Sequence, residues 1–511
     1  MSSHANRVTH SDAAVIDVGS NSVRLVLYRL EGRAIWTVYN EKVLAGLGRD
    51  LAVTGRLSPE GAASAIDALT RFRVLIEAAR PDRVYTAATA AVREATDGAS
   101  FRDKVKARTG IDLRVLSGEE EARYAALGVL AGLPHATGLV GDLGGASLEL
   151  TRITDGEPGP GVTLPLGPFS IADRGKADPA RVRAAIDRHL RPIAGRFGAR
   201  SFNAVGGAWR NFALIHMRMT GYPLEIVHQY EIEARDALDA AAFISRQSRG
   251  SLERIEGISR RRLETLPHAA LILEGLIQHL GIERIVLSAY GLREGLLLEA
   301  ASARLRRRDP LIEGCAALGA RYAIAERLGA GLQGWLAEPF SKLEPLFGAR
   351  DATLLAAACR LAELGAQLHP DHRARLIFDQ VLRAPIAGMD HAERVFLACA
   401  AFARHTAAPN APLPEITERL LTSERRQRAR VLGAALRLGC DLSGRNPQLL
   451  DHAKLEFRPE AVVLKTTEMW GAILLSEQTN KRAAVLASAL ERSLEIETLT
   501  AGHSEKEKLT A

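Results

Sequence analysis

Up to about residue 300, short apolar runs of strand character alternate with stretches whose apolar positions recur every three to four residues. "AAVIDV" and "VRLVLYRL" read as two strands joined through Gly19-Ser20-Asn21, a hairpin. Ser58-Pro59 then opens a helix as N-cap and first-turn proline, and Ile66, Leu69, Phe72 and Ile76 follow at helical spacing on one face. "RVYTAAT" (83–89) is a strand running into a short helix. A second round starts at "GLVGDL" and "LELTRI" and continues through "GVTLPL", "FNAVGG" and "RIVLSA", with amphipathic helices between them. The alternation predicts an α/β architecture in two similar halves, residues 13–135 and 136–303. "ARLRRRDP" (303–310) reads as a basic linker ending in a helix-breaking proline. Beyond it, "DATLLAAACRLAELGAQL" and "AERVFLACAAFARH" are long, rich in Ala and Leu, and helix-periodic. Strand character returns only at "LEFRPEAVVLKTT", so residues 304–500 are expected to be mainly helical, with a small α/β piece from about 450. Residues 1–12 and the charged tail 501–511 read as flexible ends.

Composition narrows the class. At 511 residues the chain is too long for one core, and roughly two to four domains are expected. An apolar share of 47% with 25% charged residues suits a folded, soluble protein. The net charge of +7 favours anionic partners: nucleic acid, polyphosphate, nucleotides or acidic membrane. The first residues lack a charged segment followed by an apolar core, so no secretory signal is read there. No apolar run approaches the roughly 18 residues that span a bilayer. All four cysteines, Cys315, Cys359, Cys399 and Cys440, lie far apart without Cys-x-x-Cys spacing, and are expected to be buried small apolar side chains. A cytosolic location follows as the expectation.

One pattern is written twice. "DVGSNSVRL" (Asp17–Leu25) and "DLGGASLEL" (Asp142–Leu150) both obey Asp-apolar-Gly-x-x-Ser-apolar-x-Leu, and each follows a short apolar run. A hairpin whose turn is Gly-Ser-Asn or Gly-Gly-Ala lets successive backbone N–H groups point into one concavity that binds anions. Glycine serves there because a side chain would block a phosphate or forbid the backbone angles. The serine after the turn adds a donor. The aspartate cannot attract phosphate itself, but suits a Mg²⁺ ligand or a group that positions water. Two such hairpins, one per half, would grip a phosphate chain from both sides of a cleft. The bland alternative, that Asp-x-Gly is common at strand ends, does not explain the shared Ser and Leu offsets.

Between the copies lies "SGEEEARY" (Ser117–Tyr124). Ser117 with Glu120 matches a capping box, and acidic residues suit a first helical turn. Neither explanation needs Glu121, a carboxylate whose placement near a phosphate site makes sense if it handles a proton or a metal.

"DVGSNSVRL", "TAATAAVREA", "SGEEEARY", "DLGGASLEL", "AVGGAWRN", "GISRRRLETLPHAALIL" and "GLREG", in this order, resemble the exopolyphosphatase/guanosine pentaphosphate phosphatase family, part of the superfamily of actin and the sugar kinases. The resemblance covers roughly residues 13–300. It implies two RNase-H-like domains facing across a cleft and Mg²⁺-dependent hydrolysis of a terminal phosphoanhydride, with Mn²⁺ and a monovalent cation such as K⁺ as further candidates. It implies Glu121 as the general base, Asp142 and Glu149 as metal-site and water-positioning carboxylates, and Asp17 for metal or water. Gly19, Ser20, Asn21 and Ser22, with Gly144, Gly145 and Ser147, would bind phosphate. Arg93 resembles the arginine that contacts phosphate oxygens, and Arg262 falls in a family motif as a further phosphate contact. Two departures stand out: Ala146 and Leu148 replace the third Gly and the Thr of the family's D-x-G-G-G-S-T-E, and Trp209 replaces a small residue where it would shape the cleft wall.

In longer members of this family the C-terminal region resembles an HD-type metal phosphohydrolase. Here Ala362-Glu363 stands where His-Asp would be, and His369, His372, His391 and His405 form no convincing metal set. A degenerate HD-like domain that extends the substrate channel or mediates homodimerisation is implied. The basic runs Arg260–Arg262, Arg306–Arg308 and Glu424–Arg430 would line a path for a polyanion or be solvated helix faces. The preferred function is an exopolyphosphatase acting on inorganic polyphosphate. Guanosine pentaphosphate 5′-phosphohydrolysis is the alternative, with guanosine penta- or tetraphosphate as ligand. A polyphosphate/nucleotide phosphotransferase and a non-catalytic polyphosphate or alarmone sensor remain as other classes; nucleic acid and a membrane span are not expected.

Overall fold

A computed structural model describes residues 10–171, 178–247, 249–254, 265–320 and 325–499. Most of the two ends read as flexible, 1–9 and 501–511, and the whole of the basic run Arg260–Arg262 lie outside the described residues. His10, Ser11 and Asp12 do not: they already pair as strand, because Arg29 clasps Asp12 at 3.0 Å and the Asp12 amide donates to Asp82 at 2.8 Å. The described chain forms two compact units, His10–Pro310 and Leu311 onward.

The first unit contains two sheets built on one plan. In one, β1 (His10–Val18) pairs antiparallel with β2 (Val23–Glu31) through the tight turn, and β2 with β3 (Ala34–Val43), while β1 runs parallel to β4 (Arg83–Ala88). In the other, β5 (Gly138–Leu143) pairs antiparallel with β6 (Leu148–Thr154), with β7 (Glu157–Pro158) and β8 (Val162–Leu164) on β6. β5 runs parallel to β9 (Ser201–Val205), which runs parallel to β11 (Arg284–Ser288), and β10 (Glu231–Glu233) closes that edge. Each half thus begins with a hairpin, as the doubled motif predicts, and the first strand of each hairpin lies beside a later parallel strand.

Helix α1 (Pro59–Ala79) buries Leu69, Phe72 and Ile76 against the first sheet. A short α2 (Ala90–Glu94) follows β4. Helices α3 (Gly118–Gly132) and α6 (Leu292–Ala300) contribute to one core with Val15 and Tyr28 of the first sheet and Val140 and Val205 of the second. They cross at glycines: a Cβ on Gly128 would sit 2.1 Å from the Gly291 carbonyl oxygen, and one on Gly295 1.9 Å from that of Tyr124. From Tyr124 to Gly132 α3 is apolar and buried all round, which fits this central place. Helices α4 (Gly207–Met219) and α5 (Leu266–Leu280) pack in the second half's own core.

The stretch read as a linker is tied down. Residues Ala303–Arg306 form a helical turn, and the Arg33 guanidinium donates to the carbonyls of Arg306 at 2.5 Å and Arg308 at 2.7 Å. The unit boundary falls at Pro310 rather than after residue 303.

The second unit is mostly helical. Its longest buried elements are α7 (His391–His405) and α8 (Ser423–Leu442). It ends in a three-stranded sheet, β12 (Ala453–Phe457), β13 (Ala461–Thr467) and β14 (Ser493–Leu499), in which the helix Glu477–Ala489 joins the parallel pair β13 and β14. All four cysteines are buried, and none forms a disulfide among the described residues. No helix among the described residues is long and apolar enough to cross a membrane.

Candidate active site

Both hairpin turns open onto one cavity of about 500 Å³ within the first unit. The turns are closed by the same bond: the Gly19 amide donates to the Ser22 carbonyl and the Gly144 amide to the Ser147 carbonyl, each at 2.9 Å. Gly19, Ser20, Asn21, Ser22, Gly144, Gly145 and Ser147 all line the cavity. Backbone angle is not what requires Gly19, Gly144 or Gly145, since none has a positive φ. A Cβ at Gly19 or Gly144 would meet only ordinary contacts, at 3.4 and 3.5 Å. Their missing side chains leave the rest of each turn uncovered toward the cavity. Neighbouring loops brace the turns: the Gly48 amide donates to the Ser20 carbonyl at 2.8 Å, and the Gly167 amide to the Ala146 carbonyl at 3.1 Å.

Register carries the two aspartates to matching places. Asp17 pairs with Arg24 and Asp142 with Glu149, each one pair back from its turn. Glu121 arrives from α3. Ser117 caps that helix by accepting from the Glu120 amide at 3.1 Å, and Glu120 returns the bond to the Ser117 amide at 2.8 Å, the capping box the spacing predicts. Glu120 is thereby turned outward to Arg114, and Glu121 inward. Gly118 allows the approach: a Cβ there would lie 1.9 Å from Thr163 Oγ1, and Thr163 pairs with Glu149 across β6 and β8.

Arg93 on α2 grips Glu121 Oε2 and donates to the Leu116 carbonyl at 2.9 Å. It stands behind the cavity wall rather than on it, because its guanidinium is occupied by the carboxylate it orients. Burial pushes the Glu121 carboxyl up to about 7; Arg93 opposes this, while Asp142 and Asp17 add to it. Burial and then the charge on Glu121 raise Glu149 well above the ordinary range, and its Oε1 has no hydrogen-bond partner among the described residues. Asp142 is raised to about 6 by burial and by Asp17. Four carboxylates, Asp17, Glu121, Asp142 and Glu149, therefore share the cavity wall.

Cations share that wall. Arg293 of α6 donates to Asp17 Oδ2 at 3.1 Å, and its neighbour Glu294 is held by the Tyr28 hydroxyl at 2.6 Å and the Gly291 amide at 2.9 Å. Arg24, Lys42 and Arg210 also face the cavity. Sequence reading assigned no role to these residues or to Asn211, although "AVGGAWRN" and "GLREG" were both legible as motifs. Trp209 does not shape the cleft wall: it is 1% exposed, donates to the Ala269 carbonyl at 3.2 Å and packs edge-on to Phe202. An indole that size gains more in the core than on a polar wall. Arg262 lies outside the described residues.

Asp17, Asp142 and Glu149 share the cavity, but among the described residues no three His, Cys, Asp or Glu side chains form a ready-made metal set. In the helical unit, Glu363 is buried beside Arg404 at 3.6 Å and Arg445 at 3.5 Å. His405 bonds the Leu364 carbonyl and His369 caps the helix Pro370–Arg383.

The sequence profile of the Ppx/GppA phosphatase family matches residues 26–303, and that of the exopolyphosphatase C-terminal domain matches residues 332–495. Exopolyphosphatase 1 of Mycobacterium tuberculosis (strain ATCC 25618 / H37Rv) is 28% identical over 298 residues, 56% of this chain and 86% of that protein. The Mycobacterium leprae protein of the same name is 27% identical over 299 residues, 56% of this chain and 88% of its own. Among solved structures, the Aquifex aeolicus Ppx/GppA family member superposes with a TM-score of 0.51 at 24% identity, covering 57% of this chain and all of that one. An exopolyphosphatase from Cytophaga hutchinsonii gives 0.51 at 22%, covering 56% and 96%. These two show a shared fold, actin-like and mixed α/β.

Proposed function

The chain belongs to the Ppx/GppA phosphatase family, and from that premise we propose that it is an exopolyphosphatase, releasing orthophosphate from the end of inorganic polyphosphate. The reading takes the two sheets as paired RNase-H-like domains and the helical unit as a degenerate HD-type domain. The observation that carries it is the single cavity into which both amide-lined turns and the Glu121–Glu149 pair open. The terminal phosphate rests against the turn amides with Ser20, Ser22 and Ser147. Glu121, oriented by Arg93, accepts the proton of a water that attacks the terminal phosphorus in line. As the anhydride opens, the amides take up the charge that develops on the oxygens.

Asp17, Asp142 and Glu149 are the residues that would hold Mg²⁺. The unpartnered Glu149 Oε1 and the mutual repulsion of these acids fit a cation. An ion sharing one or two carboxylates with water and phosphate oxygens needs no ready-made protein set. When bound, Mg²⁺ would draw charge from the phosphate oxygens.

Polyphosphate is favoured over guanosine pentaphosphate because no aromatic side chain lines the cavity among the described residues, whereas Arg24, Lys42 and Arg210 do. A purine would find no stacking surface there, and a polyanion finds cations. The deciding measurement is orthophosphate release from long polyphosphate and from guanosine pentaphosphate side by side, with and without ADP. Faster release from polyphosphate, with no ATP formed, is expected. Preference for the nucleotide would reassign the substrate, and ATP in place of orthophosphate would end the hydrolase reading.

A further inference from the structure

We propose that the start of α4 is a second phosphate-binding subsite, one that holds a phosphate of the chain other than the one being released. The proposal rests on the exopolyphosphatase reading. Gly206, Gly207 and Ala208 form part of the cavity wall. Gly206 has φ 121°, and a Cβ on it would lie 2.8 Å from the Leu143 carbonyl oxygen and 3.3 Å from Asp142 Oδ1, so only glycine lets the helix begin this close to the second hairpin. The Ala208 and Trp209 amides belong to the first turn, where a helix has no acceptor of its own and its dipole favours an anion.

A helix start alone would be generic; Asn211 makes this one particular. It lies in the cavity wall yet is only 5% exposed, and its Nδ2 has no acceptor among the described residues. Helical side chains lean toward the N-terminus, and the residue four earlier is Gly207, which has no side chain to intervene. Asn211 and Gly207 both line the cavity from one face of α4. A buried NH₂ without an acceptor is a standing cost that a phosphate oxygen removes. Beside it, Arg210 is exposed on the same wall and makes no ion pair among the described residues. Trp209, locked in the core, fixes the turn that carries both.

This subsite is distinct from the cleavage point: Glu121 enters the cavity from α3, held by Arg93, whereas Asn211 and Arg210 enter it from α4.

The test uses the full-length Glu121→Gln protein, so that substrate binds with turnover slowed on the order of 10²–10⁴-fold. Tripolyphosphate and orthophosphate binding are measured by calorimetry with Asn211→Ala, Asn211→Asp, Arg210→Ala or Arg210→Lys added. Loss of either donor should weaken tripolyphosphate by ~10-fold, as for a hydrogen bond to a charged group. Asn211→Asp, nearly isosteric, should weaken it further by repulsion, and Arg210→Lys should recover part of the loss. Orthophosphate binding should stay within about two-fold of the parent. With Glu121 restored, KM should rise more than kcat falls. Unchanged tripolyphosphate binding, or equal weakening of both ligands, would overturn the subsite. If the unsubstituted protein released no orthophosphate from polyphosphate in the same series, the functional reading would fail instead, whatever the variants bind.

Discussion

Arg24 and Glu149 occupy equivalent positions in the two hairpins, each opposite the motif aspartate. One copy of the repeat therefore presents a cation at this position and the other an acid, both on the cavity wall. Glu121, with its carboxyl near 7, is suited to take a proton around neutral pH. Replacing it by Gln keeps the shape and removes the base, and should lower turnover on the order of 10²–10⁴-fold with substrate binding largely kept. The pH dependence of kcat/KM should fall away below about 7, because the base must be ionised to act. An acidic limb near 4.5, the ordinary glutamate value, would detach it from Glu121. The same raised acids bear on stability. Folding holds the proton on Glu121 and Glu149 to higher pH than the unfolded chain does, so their contribution is present below the unfolded value and is lost as pH rises through the folded one. Glu149→Gln should thus raise Tm at pH 8 by roughly a few degrees and make little difference at pH 4. A thermal scan at both pH values reads this directly; a variant less stable at pH 8 would contradict it.

At the scale of elements, Glu121 depends on how closely α3 can approach β8. Gly118→Ala would set a methyl 1.9 Å from Thr163 Oγ1, forcing the first turn of α3 away from Glu149. kcat should fall more than KM rises, with a loss of stability of about 1–3 kcal/mol from overpacking. Thr163→Ser as well would leave the clash in place, whereas Thr163→Gly should relieve it and restore much of kcat. Failure of that rescue would mean that the contact does not position the glutamate. This dependence was invisible in the sequence, since Gly118 and Thr163 meet only through the β6–β8 pairing. What could be read lay within short segments: the hairpins, their matching serines, the capping box and the helix after Ser58-Pro59 were all local spacings. Which face of α4 meets the cavity was not local. Trp209 looked like a wall residue and is core, while Arg210 and Asn211 beside it are the wall. The run 303–310 looked like a free linker because nothing near it in sequence announces Arg33, far upstream, as its anchor.

For the whole molecule, the question is what the helical unit adds. The cavity's described lining runs from Asp17 to Arg293, all within the unit that ends at Pro310. That unit has its own cores, and its last turn is tied back by Arg33 to the carbonyls of Arg306 and Arg308, so a chain ending at Pro310 keeps this anchor. The Aquifex aeolicus family member is matched over its entire chain by 57% of this one. At about 300 residues the first unit is large enough to bury roughly 75% of the surface its unfolded chain exposes. Residues 1–310 are therefore expected to fold and to release orthophosphate from tripolyphosphate with a kcat within about ten-fold of the full chain, since every group in the proposed chemistry is retained. The full chain carries further basic residues in the helical unit, Arg425, Arg426, Arg428 and Arg430 among them. If these hold the distant part of a long substrate, truncation should raise KM for long polyphosphate far more than for tripolyphosphate, and added salt should narrow the gap. Equal effects on both lengths would limit the helical unit to support of the fold. A truncated chain that folds cooperatively yet cannot cleave tripolyphosphate would place an essential group beyond Pro310 and refute a complete site within the first unit.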